Sequence, residues 1–333
     1  MAQPSIPTRQ LGRDGPTIPI LGLGLMGLSS FYGTPPPEEE RLQFLDRAHE
    51  LGCRHWDTAA LSDGGREFRN DPEFIRQAVK DALSRLKTDY IDLLYCHRIS
   101  GKTPIEDIVS TMKEFVVYHP PPKEHLPRTL ALTPLKLSSS GQVRYLGLSE
   151  CGADTLRRAV RIHPIHAYQA EYSPFTRDIE HPSLNLLSTC RELGIGIVAY
   201  CPLGRGMLTG KYTSLEQFEA GDFRKAVPRF MGENFERNME LVRALGKVAA
   251  RKGCTTGQLV LGWLMRQEGV FPIPGTKRVQ YLEENWGANA VYGGLTEEEV
   301  RELRELIEGM QVWGERYPVA MMGGLLKDTP PKE

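Results

Sequence analysis

Apolar residues fall into short unbroken runs separated by stretches in which they recur every three or four positions, with turn signals between the two kinds of segment. Thr8 to Ile20 alternates around Asp14-Gly15 and predicts a small hairpin, followed by a buried strand over Ile20 to Leu25. Pro36 to Leu51 predicts a helix, opened by prolines and acids and closed by Gly52. A short strand is expected at His55 to Thr58. Asp71 to Leu86 reads as an amphipathic helix with Phe74, Ile75, Ala78, Val79, Ala82 and Leu86 on one face, and Ile91 to Tyr95 as a strand. The alternation continues with helices at Pro104 to Val116, Ala153 to Ile162 and Ser183 to Leu193. Their strands are Val143 to Leu148, Ala167 to Glu171 and Ile195 to Tyr200. Helices at Asn234 to Lys252 and Thr256 to Arg266, a strand at Val270 to Ile273, and helices at Val279 to Asn289 and Thr296 to Gly309 complete the pattern.

Strands that are apolar throughout and alternate with helices indicate a parallel sheet covered by helices. About seven such strands in a chain of this length favour a (β/α) barrel over a doubly wound sheet, because such barrels need ~250 residues. Residues 1–333 therefore read as a single barrel domain. Chemistry in a barrel sits at the C-terminal ends of the strands. Two stretches break the rhythm. Val117 to Gly141 is rich in proline and serine where a short turn is expected, and reads as an irregular insertion. Between Thr58 and Ile91 there is one helix and no further strand.

Composition narrows the function. With 41 basic against 42 acidic side chains, no excess charge is available for a nucleic acid. Six cysteines lack any C-x-x-C spacing and read as reduced thiols of a cytoplasmic protein, and no stretch approaches a membrane span.

Gly22-Leu-Gly24-Leu-Met-Gly27 satisfies G-x-G-x-x-G, yet Gly33 and three consecutive prolines follow where a dinucleotide-binding helix should open. The motif reads instead as a tight strand-end turn where a backbone approaches a ligand; Gly64-Gly65 and Gly293-Gly294 read as plain turns. At the strand ends stand Asp57, His97, Ser149, Glu150, Glu171 and Tyr200. An acid and a histidine facing one lumen can share a proton or a substrate oxygen, although a salt-bridged carboxylate and a core histidine satisfy the same spacing. No third ligand accompanies Asp57 and His97, so no metal site is expected. Tyr200 is either core or a platform for a flat ring. Pro272 to Arg278 carries two cations from a strand end into a helix, suited to a phosphate or to a solvated cap.

These segments resemble the NADP-dependent aldo-keto reductases, in their fungal and bacterial branch of broad aldehyde specificity. The resemblance is carried by LGLGLMGLS from Leu21, WDTA from Trp56, RLKTDYIDLLYCHR from Arg85, VRYLGLSE from Val143 and QAEYSPF from Gln169. VAYCPLGRGMLTG from Val198, GDFRK from Gly221 and PIPGTKRVQYLEEN from Pro272 are its most specific parts. It implies a TIM barrel, NADP(H) as cofactor and an aldehyde or ketone as small-molecule substrate. By motif, Asp57 and His97 match two of four catalytic positions. Ser149 and Gln169 match the residues that hold the nicotinamide carboxamide, and Tyr200 the aromatic that stacks on the ring. Pro202, Leu203, Gly204 and Gly206 would line the pyrophosphate. Gly275, Thr276, Lys277, Tyr281, Glu284 and Asn285 match the segment gripping the adenosine and its 2′-phosphate, Lys277 favouring NADP over NAD. Glu150 stands where some relatives have asparagine. The tail from Met310, with Trp313 and Tyr317, is expected over the pocket mouth.

One departure bears on chemistry. Relatives place a tyrosine five residues after the strand-end aspartate and then a strand ending in A-T-K; here that position is Ser62, and no such strand follows. One β/α unit is expected to be missing, and with it the family's tyrosine acid and its lysine. Three outcomes are compatible with the residues: an impaired reductase, a non-catalytic NADPH-binding protein, or a mis-spliced or mis-predicted form of an active reductase.

Overall fold

The computed structural model describes residues 6–59, 68–117 and 142–333. Ser62, Gly64-Gly65 and the 117–141 segment beyond Val117 lie outside the described residues. In chain order the elements are β1 (Thr8–Gln10), β2 (Thr17–Pro19), β3 (Leu23–Gly24), α1 (Glu38–Glu50), β4 (Trp56–Asp57), α2 (Pro72–Leu86), β5 (Ile91–Cys96) and α3 (Ile105–Lys113). Then come β6 (Val143–Ser149), α4 (Ala153–Ile162), β7 (Ala167–Glu171), α5 (Leu186–Leu193), β8 (Gly196–Tyr200), α6 (Glu233–Lys252) and α7 (Thr256–Arg266). The chain ends with β9 (Val270–Pro272), α8 (Val279–Trp286), α9 (Ala288–Gly294), α10 (Glu297–Glu308) and α11 (Val319–Met322). Contacts divide the chain into one compact unit of Met1–Ala59 and Gln169–Gly323 and a second of Ala60–Tyr168 and Gly324–Glu333.

In the first unit β1 and β2 form the expected hairpin, with Arg9 opposite Ile18. The Arg9 guanidinium donates to the carbonyls of Met265 (2.7 Å), Val270 (3.0 Å) and Gln267 (3.1 Å), so the hairpin is tied to the end of α7 and the start of β9. β8 and β9 run parallel, Val198 opposite Phe271. Gly22 N donates to Pro272 O at 2.9 Å and Gly24 N to Pro274 O at 3.2 Å, which carries the ladder from β9 to β3. β3 pairs in turn with β4, Gly24 opposite Asp57, and the ladder ends there with Trp56 exposed. Gly24 has a packing reason: a Cβ there would stand 2.9 Å from the Ile273 carbonyl oxygen, so only glycine lets the two backbones meet. The close approach is thus to a neighbouring strand end. Leu23, Leu28, Phe44, Ala48, Cys53 and Leu282 form a core cluster over which α1 lies. α7 is apolar on nearly every side and buried accordingly.

In the second unit β5 and β6 pair in parallel from Ile91 opposite Val143 to Cys96 opposite Leu148. α2 starts at Asp71, whose carboxylate accepts from Phe74 N at 3.1 Å, and stops at Lys87 in the left-handed conformation. Leu93, Leu94 and Tyr95 of β5 are only half-buried, and β5 ends the ladder of this unit. The last residues strap α3 to α4. Asp328 accepts from Thr155 N at 2.9 Å, Thr329 Oγ1 accepts from Ile105 N at 3.1 Å, and Arg158 grips both oxygens of Glu106 and the carbonyls of Thr329 and Pro330.

Two expectations change. The helix expected over Val279 to Asn289 is two helices, because Gln258 Nε2 donates to the Glu284 carbonyl at 3.0 Å and its side chain occupies the space beside Gly287. Gly293-Gly294 are accordingly the last turn of α9 and not a loop. Among the described residues seven strands, β3 to β9, carry the pattern, with β3–β4, β5–β6 and β8–β9 paired in parallel.

Candidate functional site

Most candidate residues from the sequence stand at or just after the C-terminal ends of strands. In the first unit Asp57 closes β4; its backbone carbonyl accepts from Leu25 N at 2.9 Å and its carboxylate from Gln169 Nε2 at 2.8 Å. Burial pushes its pKa up to about 6, the bond from Gln169 acting in the opposite sense. Having given one amide hydrogen to Asp57, Gln169 keeps its carbonyl oxygen as an acceptor. His55, two residues before Asp57, is a core histidine: its pKa is lowered to about 4 by burial, and it packs edge-on to Phe271 at 6.4 Å.

Tyr200 closes β8 and is half-buried. Its hydroxyl lies 3.4 Å from that of Tyr317 and 3.3 Å from Nη1 of Arg316, both from the segment after α10. The turn that follows is tight. Cys201, Gly204, Arg205 and Gly206 all have positive φ, and Gly204 N and Gly206 N donate back to Cys201 O and Leu203 O at 2.9 Å. Pro202, Leu203 and Gly204 are buried and Gly206, at φ 96°, is half-buried. Beyond β9, Gly275 is exposed and bridges to Gly24. Thr276 Oγ1 accepts from Arg278 N at 3.3 Å. Lys277 Nζ donates to the carbonyls of Tyr32 (2.6 Å) and Thr34 (2.9 Å), and among the described residues no carboxylate is in ion-pair contact with it. Glu284 pairs with Lys211, whose ammonium sits 4.0 Å over the Tyr281 ring, and Asn285 is buried.

The second unit holds His97 and Ser149. His97 follows β5 and is exposed; partial burial of the ring and the charge of Arg98 hold its pKa below the usual range. The loop carrying it is fixed by Asn70, which donates to Cys96 Sγ (3.3 Å) and Arg98 O (2.9 Å) and accepts from Ser100 N (2.6 Å). Ser149 ends β6 at 1% exposure, and its hydroxyl has no hydrogen-bond partner among the described residues. Glu150, fully buried at φ 52°, follows it.

Sequence reasoning missed Asn70, a lone polar residue in a loop without periodicity. It also missed the cluster of Arg205, Glu171 and Arg316. Arg205 lies in the LGRG run, but nothing in its spacing predicts a partner 34 residues earlier and another 111 residues later.

In the first unit Gln169 offers an unspent carbonyl, Tyr200 a ring and Lys277 a charge held by backbone carbonyls; in the second, Ser149 offers an unspent buried hydroxyl. An unsatisfied buried hydroxyl costs stability, so its retention at a strand end fits a ligand that completes it. No group of three metal-ligating side chains occurs among the described residues, and no helix there is long and apolar enough to cross a membrane.

The chain resembles known proteins along nearly its whole length. The profile of the Aldo/keto reductase family matches residues 61–308. The chain is 40% identical to the aldo-keto reductase yakc [NADP(+)] of Schizosaccharomyces pombe, covering 98% of this chain and 99% of that protein. It is 40% identical to the aldo-keto reductase str7 of Strobilurus tenacellus, with 98% of each covered. Among solved structures it is similar to a thermostable aldo-keto reductase, Tm1743, in complex with the inhibitor epalrestat. That match has a TM-score of 0.65 and 27% identity, over 90% of this chain and 99% of that one. The fold is also that of the glycerol dehydrogenase AKR11B4 from Gluconobacter oxydans, with a TM-score of 0.71 over 92% and 97% of the two chains.

Proposed function

The chain belongs to the aldo/keto reductase family, NADP-dependent oxidoreductases built on a (β/α)8 barrel, and from that premise we propose that it reduces small aldehydes or ketones to alcohols, with NADPH as donor and at a much reduced rate. The observation that carries the reading is the presence in one unit of the Asp57–Gln169 pair, the Tyr200 ring and the Lys277 segment.

Bound NADPH supplies the hydride. The chain's own residues would supply position: by the family motifs Ser149 and Gln169 are assigned to the carboxamide, Tyr200 would back the ring, the Pro202–Gly206 turn would line the pyrophosphate and Lys277 would take the 2′-phosphate. Gly275, Thr276, Tyr281, Glu284 and Asn285 line the adenosine. By the same motifs, Asp57 and His97 are assigned to two of the four catalytic positions. The segment from Met310 covers the substrate mouth, Tyr317 and Arg316 reaching Tyr200.

The reduced rate follows from what the chain lacks. One β/α unit, and with it the phenol and ammonium that protonate the carbonyl oxygen in relatives, is absent. Three observations support this. The alignment with the S. pombe protein runs over 363 positions, thirty more than the 333 residues here, so at least thirty positions are gaps in this chain. Among the described residues α2 is the one element between β4 and β5. Each of those two strands ends the ladder of its own unit. Losing a general acid costs ~10²- to 10⁴-fold in rate. A cytoplasmic location, drawn from the reduced cysteines and balanced charge, belongs to the same proposal.

Two measurements test it. NADPH titrated into the protein in a calorimeter should bind, and its oxidation in the presence of a reactive aromatic aldehyde should be slow. Turnover at ordinary enzyme rates refutes the loss of the acid, and absence of NADPH binding refutes the cofactor. Binding with no turnover identifies a non-catalytic NADPH-binding protein. Sequencing the transcript separates a natural loss from a splicing or gene-prediction error.

A further inference from the structure

We propose that Arg205 is a positioning residue: it fixes the Arg316–Tyr317 segment against Tyr200 and so sets the platform on which the nicotinamide stacks. The inference rests on the NADP reading above and goes beyond it, because it gives a role to a side chain that neither the motif comparison nor the geometry of the cofactor segments assigned.

Arg205 sits at φ 55°, in a backbone region that favours glycine, between two glycines that adopt it without penalty. An arginine is tolerated there when its side chain is held, and this one is held on every side. The side chain is 5% exposed and pairs through Nη2 with Glu171 Oε2 at 3.1 Å, the Glu171 side chain being 2% exposed. The same nitrogen donates to the Arg316 carbonyl at 3.0 Å. The guanidinium lies over the Tyr317 ring at 4.4 Å and over the Phe223 ring at 5.5 Å. Planarity, fixed charge and several donors are the properties that distinguish arginine from lysine in such a position.

The partners of Arg205 lead to Tyr200 by two routes. Tyr317, stacked under the guanidinium, places its hydroxyl 3.4 Å from that of Tyr200. Arg316, whose carbonyl Arg205 holds, places Nη1 3.3 Å from the same oxygen and 3.8 Å from Glu171 Oε2. Glu171 ends β7 and Tyr200 ends β8, so the buried carboxylate anchors the network to the strands while Arg205 draws the later segment onto it. Without Arg205, Glu171 keeps Arg229 at 3.6 Å and Arg316 at 3.8 Å but loses the shortest of its three buried ion pairs, so truncation to alanine risks unfolding. Lysine keeps the charge and loses the fork and the stack, which makes Arg205→Lys the informative variant.

The test uses the full chain. Arg205→Lys should speed amide exchange in residues 312–322 of the free protein. It should also weaken NADPH and NADH equally, each by about tenfold, because the nicotinamide platform is common to both cofactors. Tyr317→Leu, which leaves the Arg205–Glu171 pair in place, should reproduce both effects and keeps the test decisive if the lysine variant fails to fold. A variant with a lowered melting temperature but wild-type tail exchange and wild-type affinity for both nucleotides makes Arg205 purely structural and overturns the proposal. A wild-type protein that does not bind NADPH overturns the cofactor reading itself, an outcome distinct from a wild type that binds and variants that bind equally well.

Discussion

Gln169 Nε2 donates to Asp57 Oδ2 at 2.8 Å, joining the last residue of β4 to the middle of β7. That bond favours the ionised carboxylate, yet burial outweighs it and the pKa of Asp57 rises from 3.8 to about 6. The folded pKa lies above the unfolded one, so the contribution to stability is fully present below the unfolded value and is lost as pH rises through about 6. Asp57→Asn keeps an acceptor for Gln169 and removes the cost of ionisation. It should match the wild type near pH 4 and exceed it by about 1 to 3 kcal/mol at pH 8, allowing for partial exposure. Urea denaturation at both pH values checks this, and an equal difference at the two rules it out.

Ser149 holds a buried hydroxyl with no partner among the described residues. Ser149→Ala should therefore leave the free protein as stable as before or slightly more so, since no hydrogen bond is lost. Its NADPH affinity should fall by about 0.5 to 1.5 kcal/mol, the worth of one hydrogen bond. Melting curves with and without the nucleotide separate the two effects; loss of stability in the free protein would show that the hydroxyl already has a partner.

Lys277 is held by the carbonyls of Tyr32 and Thr34. Lys277→Met should cost NADPH about tenfold to a hundredfold in affinity and leave NADH nearly unchanged, because the lost charge-assisted bond is to the 2′-phosphate. Calorimetric titration with each nucleotide measures the ratio. Equal losses would place the lysine elsewhere.

Gly24 faces the Ile273 carbonyl at a distance where a methyl group cannot fit. Gly24→Ala should force β3 and β9 apart and destabilise the fold by about 1 to 3 kcal/mol, the usual cost of overpacking. A melting temperature within a degree of wild type would show that the strands part freely.

These predictions also mark how far the residues alone reached. The periodic elements were legible because burial imposes its period on the sequence: α4, α7 and β7 have the bounds expected for them. The break between α8 and α9 was not, since it depends on Gln258 reaching a carbonyl 26 residues away. Strand-end residues such as Asp57 and Tyr200 stood out by position. What positions Tyr200 is Arg205, Arg316 and Tyr317, and their side chains meet only after folding, by contacts that carry no local period. Ser62, which motivated the expectation of a lost acid, lies outside the described residues, and that expectation is carried instead by the elements around it.

The three carbonyls that hold Arg9 belong to residues 265, 267 and 270. Arg9 therefore has none of these partners until more than 250 residues have followed it, whereas the turn of the hairpin is tied earlier, Arg13 N donating to Gly194 O at 2.7 Å. Such long-range closure slows folding and leaves early segments exposed while later ones are still being made. The hairpin thus acts as a latch with one early and one late catch, so a substitution such as Arg9→Ala should act chiefly on how much chain reaches the native state, with the finished site left as it was.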